Sequence, residues 1–332
     1  MGKLSINISI ILFLIVYNGC SKRMGNPAEP NTATTWAQVS SGLINNNITS
    51  LSASGTSLIA GCGSGAFLST NNGASWSQID SGLTNTNVWS LGAYEGYFFI
   101  GTSAGVFLST DNGVSWHKAS TDLDYFILSF GFSGPNIFVG TNAWNDQAGF
   151  FLSTDFGAHW SLRNTGLPMW ASVFAIAVSG TNIFAGTNFG VYVSTNNGAN
   201  WTAANTDLIN TRINSLVVSG SNLFAGSDSG GAFLSTNSGA SWTSVNSGLA
   251  SDVIYSFAVV GADIFVGTGN GVYLSTNNGT NWVSVNDGFP KSPSKATTYL
   301  VANVLAVDDS SLFVGTGGGY VWRRLLNEMI IR

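Results

Sequence analysis

Apolar residues along this chain arrive in short bursts divided by clusters of Gly, Asn, Ser and Thr, and the grouping repeats about every forty residues. Residues 87–123 show the unit. Val88-Trp89-Ser90-Leu91-Gly92-Ala93 is a short apolar segment, Tyr94-Glu95-Gly96 reads as a turn, and Tyr97 to Thr102 reads as a second strand. Ser103-Ala104-Gly105 turns again, Val106 to Ser109 is a third strand, and a fourth runs from Ser115 to Ser120. The pattern predicts four antiparallel strands per unit, covered on both faces by the neighbouring units.

Six units carry the phrase Ser-x-Asn/Asp-x-Gly-x-x-Trp on the turn between the third and fourth strands. The six copies begin at Ser69, Ser109, Ser153, Ser194, Ser235 and Ser275 and end at Trp76, Trp116, Trp160, Trp201, Trp242 and Trp282. Asn or Asp with the Ser hydroxyl can bond the amides of the turn, Gly accepts positive φ, and Trp covers the hairpin with apolar area. These are structural tasks. The phrase resembles that of the Asp-box or BNR repeat families, found in sialidases, xyloglucan hydrolases, sortilin-type receptors and photosystem II assembly-factor propellers. The likeness covers about nine tenths of the chain, with Asn in place of the acidic residue at Asn71, Asn196, Asn237 and Asn277. It implies a β-propeller.

The ends give the blade count. Thr35 to Leu43 matches Ser75 to Leu83, so the repeat opens on a fourth strand, while Leu312 to Thr316 and Tyr320 to Trp322 match second and third strands without a phrase after them. Trp322 reads as the counterpart of Leu108 and Leu274. Six whole blades plus one shared blade predict an all-β, seven-bladed propeller over residues 34–332, with the N-terminal strand completing the last blade.

Residues 1–19 differ in kind. Lys3 precedes an apolar run, uninterrupted from Ile10 to Tyr17, that is too short to span a bilayer, and it stops at Asn18-Gly19-Cys20. This reads as a signal peptide whose Gly-Cys junction resembles the lipobox of bacterial lipoproteins, although Tyr17 and Asn18 stand where a Leu and a small residue are usual. Acylation of Cys20 would make the lipid the only membrane anchor of a protein in the cell envelope. Ordinary cleavage, leaving Cys20 as a thiol, is the alternative. Residues 20–33 read as a flexible tether. The other cysteine, Cys62, stands in a column of Thr and Ser and reads as a small strand residue.

Only 8% of residues are charged and the net charge is −5, which excludes a nucleic-acid partner. Loops joining strand two to three and strand four to the next blade share one end of the ring, where propellers usually bind ligands. Three stretches there break the repeat: Asn142 to Gly149, Pro168-Met169-Trp170, and Asp287 to Thr298. Trp89, Trp144 and Trp170 are the tryptophans the repeat does not use, and with Asn145, Asp146 and Tyr255 they are the candidate ligand residues. Covering the channel mouth is the alternative role for Trp89 and Trp170, and pinning its own loop that for Trp144.

Sialidases bind a carboxylate with three arginines beside a tyrosine and glutamate pair. Here residues 20–332 hold Arg23, Arg163, Arg212, Arg323, Arg324 and Arg332, four of them near the ends, and only Glu29, Glu95 and Glu328. That activity is set aside. Asp124, Asp146, Asp252 and Asp287 on the loop face leave a two-carboxylate glycoside hydrolase as the second reading. His117 and His159 flank repeat tryptophans and assemble into no triad or metal site. The leading expectation is a monomeric, non-catalytic scaffold without cofactor or metal, tethered at the surface and binding an envelope or extracellular protein or glycan.

Overall fold

The computed structural model describes residues 35–43, 47–143, 148–209 and 212–330. They form seven four-stranded antiparallel sheets, the blades of a propeller, and one added two-stranded hairpin. The first blade consists of Ile48–Ser54, Ser57–Cys62, Gly65–Ser69 and Ser77–Gln78, counted from the channel outward. The inner strands of the next blades are Val88–Tyr94, Ile127–Ser133, Val173–Ser179, Ile213–Ser219, Ile254–Val260 and Ala302–Val307. Each contacts the next, and Ala302–Val307 contacts Ile48–Ser54, so the ring is closed.

The seventh blade pairs Ala302–Val307, Ser311–Thr316 and Val321–Leu325 with Ala37–Gln38 from the other end of the chain. Ala37 lies opposite Arg323 and Gln38 opposite Trp322. Trp322 is thereby displaced by one place from its expected column. Thr316 bonds across its turn to Tyr320, whereas Thr102 bonds to Gly105, so this turn is one residue longer. Trp322 pairs with Val314 as Phe107 pairs with Ile100, and it belongs to the aromatic column of Phe67, Phe107 and Tyr273. The leucine column is occupied here by Arg323.

The blades are packed by a simple alternation on the second strand. Phe99, Phe138, Phe184, Phe224, Phe265 and Phe313 are fully buried between neighbouring sheets, with Ile59 as the exception in size. Each such ring stabilises the fold by roughly 1.5–3 kcal/mol relative to exposure. Two residues along, a glycine lets the next blade approach. A Cβ on Gly315 would sit 2.6 Å from Ile48 Cγ2, which belongs to the first blade, so this close approach crosses the ring closure as well.

The fourth strands are shorter than the sequence pattern predicts. In the second blade the strand is His117–Lys118 in place of Ser115 to Ser120: on its near side the Trp116 amide leaves the ladder to bond Ser81 O of the preceding blade, and on its far side a single bond from Ala119 N to Val106 O follows. The indoles do likewise. Nε1 of Trp76, Trp116, Trp201, Trp242 and Trp282 donates to the carbonyls of Val39, Ile79, Arg163, Ala204 and Val245 at 2.7–2.8 Å. The repeat tryptophan is therefore a latch between blades in addition to a cover for its hairpin.

Within the phrase, Ser109 Oγ donates to Asp111 Oδ1 and accepts from Gly113 N, while Asp111 accepts from both the amide and the hydroxyl of Ser115. Those hydroxyl and amide bonds hold the Asp111 carboxyl at a pKa of about 2. Asp155 is held at about 2 chiefly by its bond to the His159 side chain, 2.7 Å away, and that bond raises the imidazole above its ordinary value.

Candidate functional site: the loop face

In a four-stranded meander the second turn and the exit from the last strand leave the same end, and here side chains tie the two together. The residue four places after the repeat tryptophan reaches back to the start of strand three in five of the six copies; the exception is Ser120, whose Oγ accepts from Asp122 N instead. Oδ1 of Asp80, Asn164, Asn205, Asn246 and Asn286 accepts from the amides of Ala66, Phe150, Val191, Ala232 and Val272 at 2.7–2.9 Å. In the seventh blade Ser40 does this work, its Oγ accepting from Val321 N and donating to Val321 O. The glycine before each amide makes room: Gly271 has φ of 82°, and a Cβ there would strike the Asn286 carboxamide. The signal, Asn or Asp at a fixed offset from Trp, was present in the sequence and was missed.

A second set of bonds closes the turn itself. Thr102, Thr187 and Thr268 donate Oγ1 to the carbonyls of Gly105, Gly190 and Gly271. Cys62 takes the same position, its Sγ 3.4 Å from Gly65 O and 3.2 Å from Ser64 Oγ, and it is fully buried. The loop face is thus a stiff frame on which the departures from the repeat are mounted.

Trp170 is the most developed of these departures. It closes a turn in which Ala171 N donates to Pro168 O, and its backbone lies at φ of 67°, a left-handed conformation that costs a bulky residue of order 1–3 kcal/mol. Its neighbours hold it there. Ser172 N donates to Asn188 Oδ1, Asn188 Nδ2 donates to Trp170 O, and Ser172 Oγ bonds both Asn142 Oδ1 and Ala143 N. Three loops meet at Ser172, and Trp170 is 49% exposed. Met169, Phe189 on the adjoining turn, and Ile209 on the next inter-blade loop are exposed as well.

Trp89 and Tyr255 share a different origin. Every inner strand shifts register after its first residue, leaving Thr49, Trp89, Leu128, Phe174, Asn214, Tyr255 and Asn303 as bulges. Bulge side chains reach towards the next blade: Thr49 Oγ1 donates to Val88 O and Asn214 Nδ2 to Ile254 O. Trp89 packs against Phe126 at 4.7 Å and is only partly exposed, its Nε1 enclosed without an acceptor among the described residues. It covers the seam more than it offers a surface. Tyr255 is exposed, and Arg212 lies 4.5 Å over the Phe174 ring while facing Asp228 at 3.5 Å.

Trp144, Asn145 and Asp146 lie outside the described residues. Of the loop aspartates, Asp124 faces Lys118 at 3.1 Å, and Asp252 and Asp287 are exposed in the loops before the sixth and seventh blades. The carboxyls with displaced titration, Asp111 and Asp155, lie instead on the turns of the opposite end. The stretch after Asp287 folds as a hairpin, Lys291–Ser292 with Lys295–Tyr299, which docks through Tyr299 N on Asn270 Oδ1 of the sixth blade. Lys291 Nζ sits 3.5 Å above the Tyr299 ring. Neither a hollow of about 60 Å³ lined by Ser52, Ile59 and Phe98 nor one of about 400 Å³ along Thr236, Asn246 and Thr280 includes Trp89, Trp170 or Tyr255.

A family model for the DUF6242 beta propeller domain matches residues 171–316. No curated protein matches the chain in sequence. Among solved structures, the extracellular domain of the BT4673 system of B. thetaiotaomicron superposes with a TM-score of 0.71 at 17% identity, over 87% of this chain and 39% of that one. The GH74 xyloglucanase of Xanthomonas campestris gives 0.68 at 16% identity, covering 89% of this chain and 54% of that one. YCF48 bound to D1 peptide gives 0.66 at 13% identity, over 92% and 99% of the two chains. What they share with this chain is the propeller fold, and the chain spans about two fifths of the BT4673 domain.

Proposed function

We propose that the protein is a non-catalytic scaffold that binds a protein or glycan through its loop face, in the sector built around Trp170. The observation that carries this reading is an exposed indole held on a left-handed backbone by a three-loop hydrogen-bond hub. Backbone strain kept in place by its surroundings accumulates at ligand clamps, and a pre-ordered aromatic loses little entropy on binding. Tyr255 is a further exposed aromatic of the loop face, Trp89 supports the seam, and Trp144, Asn145 and Asp146 enter the proposal from the sequence alone.

Cys20 carries the tether in this proposal, with acyl chains holding the protein at a membrane of the cell envelope; each buried methylene contributes about 0.8 kcal/mol. Among the described residues no helix is long and apolar enough to cross a membrane. Cys20→Ser should release the protein from the detergent phase in a partition experiment. The extracellular neighbours from B. thetaiotaomicron are in keeping with that placement.

The second reading, a glycoside hydrolase, draws on the GH74 neighbour and on Asp252 and Asp287. A retaining pair of carboxyls requires one proton-donating group, usually kept protonated by burial. Asp252 and Asp287 are both exposed, so neither has the buried setting of such a group. Purified protein is screened against arrayed polysaccharides and envelope proteins, with product analysis beside the binding measurement. Retention without turnover supports the scaffold; released sugar, abolished by Asp287→Asn, replaces it with the hydrolase.

A further inference from the structure

Four of the six repeat phrases contain the dipeptide Asn-Gly: Asn72-Gly73, Asn112-Gly113, Asn197-Gly198 and Asn278-Gly279. In an open chain this is a chemically fragile sequence, since glycine puts no side chain in the way when its amide nitrogen attacks the asparagine Cγ. The nitrogen loses its proton to base, the new N–Cγ bond forms, the Cγ–Nδ2 bond breaks and ammonia leaves. Water then opens the succinimide ring to aspartate or isoaspartate. Each event adds a negative charge and, in the second product, inserts an extra backbone atom into the turn.

In the folded ring all four nitrogens are engaged. Gly73, Gly113, Gly198 and Gly279 donate their amides to Ser69, Ser109, Ser194 and Ser275 Oγ at 2.8–2.9 Å. Those serines and glycines are buried, although the asparagines themselves are exposed or half-exposed. The asparagine backbones share one left-handed conformation, with φ between 55° and 60°. The same bond is made where the preceding residue cannot form a succinimide, at Phe156-Gly157 and Ser238-Gly239.

We infer that Asn72, Asn112, Asn197 and Asn278 are dormant deamidation sites, and that the serine of the repeat phrase guards them by holding the attacking amide as a hydrogen-bond donor. The phrase has a chemical task beside its structural one. It keeps a ring built on Asn-Gly turns from ageing while the turns stay closed, and it exposes four sites when they open. Base must remove a proton that is already donated, from a nitrogen shielded from solvent and fixed in direction by the turn.

Peptide mapping by mass spectrometry during storage in mildly alkaline buffer tests this, because the four copies act as controls for one another. The folded protein should deamidate at these positions much more slowly than the same chain held in denaturant. Ser194→Ala should accelerate Asn197 about fivefold, the rate equivalent of roughly 1 kcal/mol for one neutral hydrogen bond, with Asn72, Asn112 and Asn278 unchanged. Ser194→Thr, which keeps the hydroxyl, should restore the parent rate. Equal rates in the folded and denatured parent would overturn the inference, as would a folded Ser194→Ala variant ageing like the parent at Asn197. If Ser194→Ala instead opens the whole domain, all four sites accelerate together and the folded-against-denatured comparison of the parent decides.

Discussion

The indole Nε1 of Trp36 donates to the carbonyl oxygen of Val285 at 2.7 Å, joining positions 249 residues apart. The same oxygen accepts Nη1 of Arg324 at 2.9 Å, and Arg324 occupies the place held in other blades by the serine of the phrase. Trp36 also packs edge-on against Phe289, which meets Trp322 in the same way. The bond is the one that Trp76, Trp116, Trp201, Trp242 and Trp282 make to their preceding blades, here supplied from the far end of the chain.

Removing residues 35–43 should therefore weaken the whole ring. Loss of one buried tryptophan alone costs about 3–5 kcal/mol, and the last blade loses its outer strand as well. Trp36→Phe, which keeps most of the apolar area, should cost about 1 kcal/mol for the lost bond. Urea unfolding measures both. A truncated chain as stable as its parent would contradict the closure.

One seam lacks the latch. Trp160 donates Nε1 to Gly157 O of its own turn at 2.9 Å, and the second and third blades are joined beside it by Tyr97, Phe156, Phe130 and Phe132. Trp201→Phe should raise amide hydrogen exchange across residues 163–167 of the preceding blade. Trp160→Phe should leave residues 119–123 unchanged, because no bond crosses that seam from its indole. Equal effects at the two seams would refute the distinction.

The Asp155–His159 pair makes stability depend on pH at both ends. Asp155 titrates near 2 in the folded protein against an ordinary 3.8, so its contribution is present above 3.8 and is lost as pH falls towards 2. His159 is raised above its ordinary 6.5, so its contribution is complete below 6.5 and disappears as pH rises through the raised value. Both side chains face solvent, and the effect is small and screened by salt. His159→Asn, the residue present at Asn200 and Asn281, should flatten the alkaline side of the melting-temperature profile. An unchanged slope would remove the pair from the account.

Cys62→Thr should be tolerated with a stability change within about 1 kcal/mol, since Thr occupies this position in most other blades and its hydroxyl can reach Gly65 O as the thiol does. Cys62→Leu should instead destabilise by about 1–3 kcal/mol through overpacking. Thermal melts of the two variants make the comparison. Similar losses in both would show that the thiol has a role the threonine column does not share.

Much of the ring was legible in the sequence because a forty-residue repeat makes each blade a copy of a readable unit, and because Thr35 to Leu43 complements the unfinished end at Trp322. What the repeat hides is contact between copies. A tryptophan recurring at one offset looks like hairpin cover until its Nε1 is seen on the preceding blade, and Asn286 looks like a turn residue until its carboxamide is seen on Val272 N. Trp322 was placed one column off because a single added glycine cannot be assigned to a turn by spacing alone. On the loop face Trp89 and Trp170 are indistinguishable in sequence. Packing separates them, since Trp89 falls on a bulge against Phe126 and Trp170 stands on a strained turn open to solvent.

The central claim is that the Trp170 sector binds a partner and leaves it chemically unchanged. The direct measurement is a binding and product screen of the purified parent and Trp170→Ala against the same polysaccharides and envelope proteins, with melting curves run alongside. A binding anchor of this kind contributes at least about 2 kcal/mol, so the variant should bind about thirtyfold more weakly or worse, fold as well as the parent, and release no product. Undiminished binding by a folded Trp170→Ala, or turnover of the bound glycan by the parent, would contradict it.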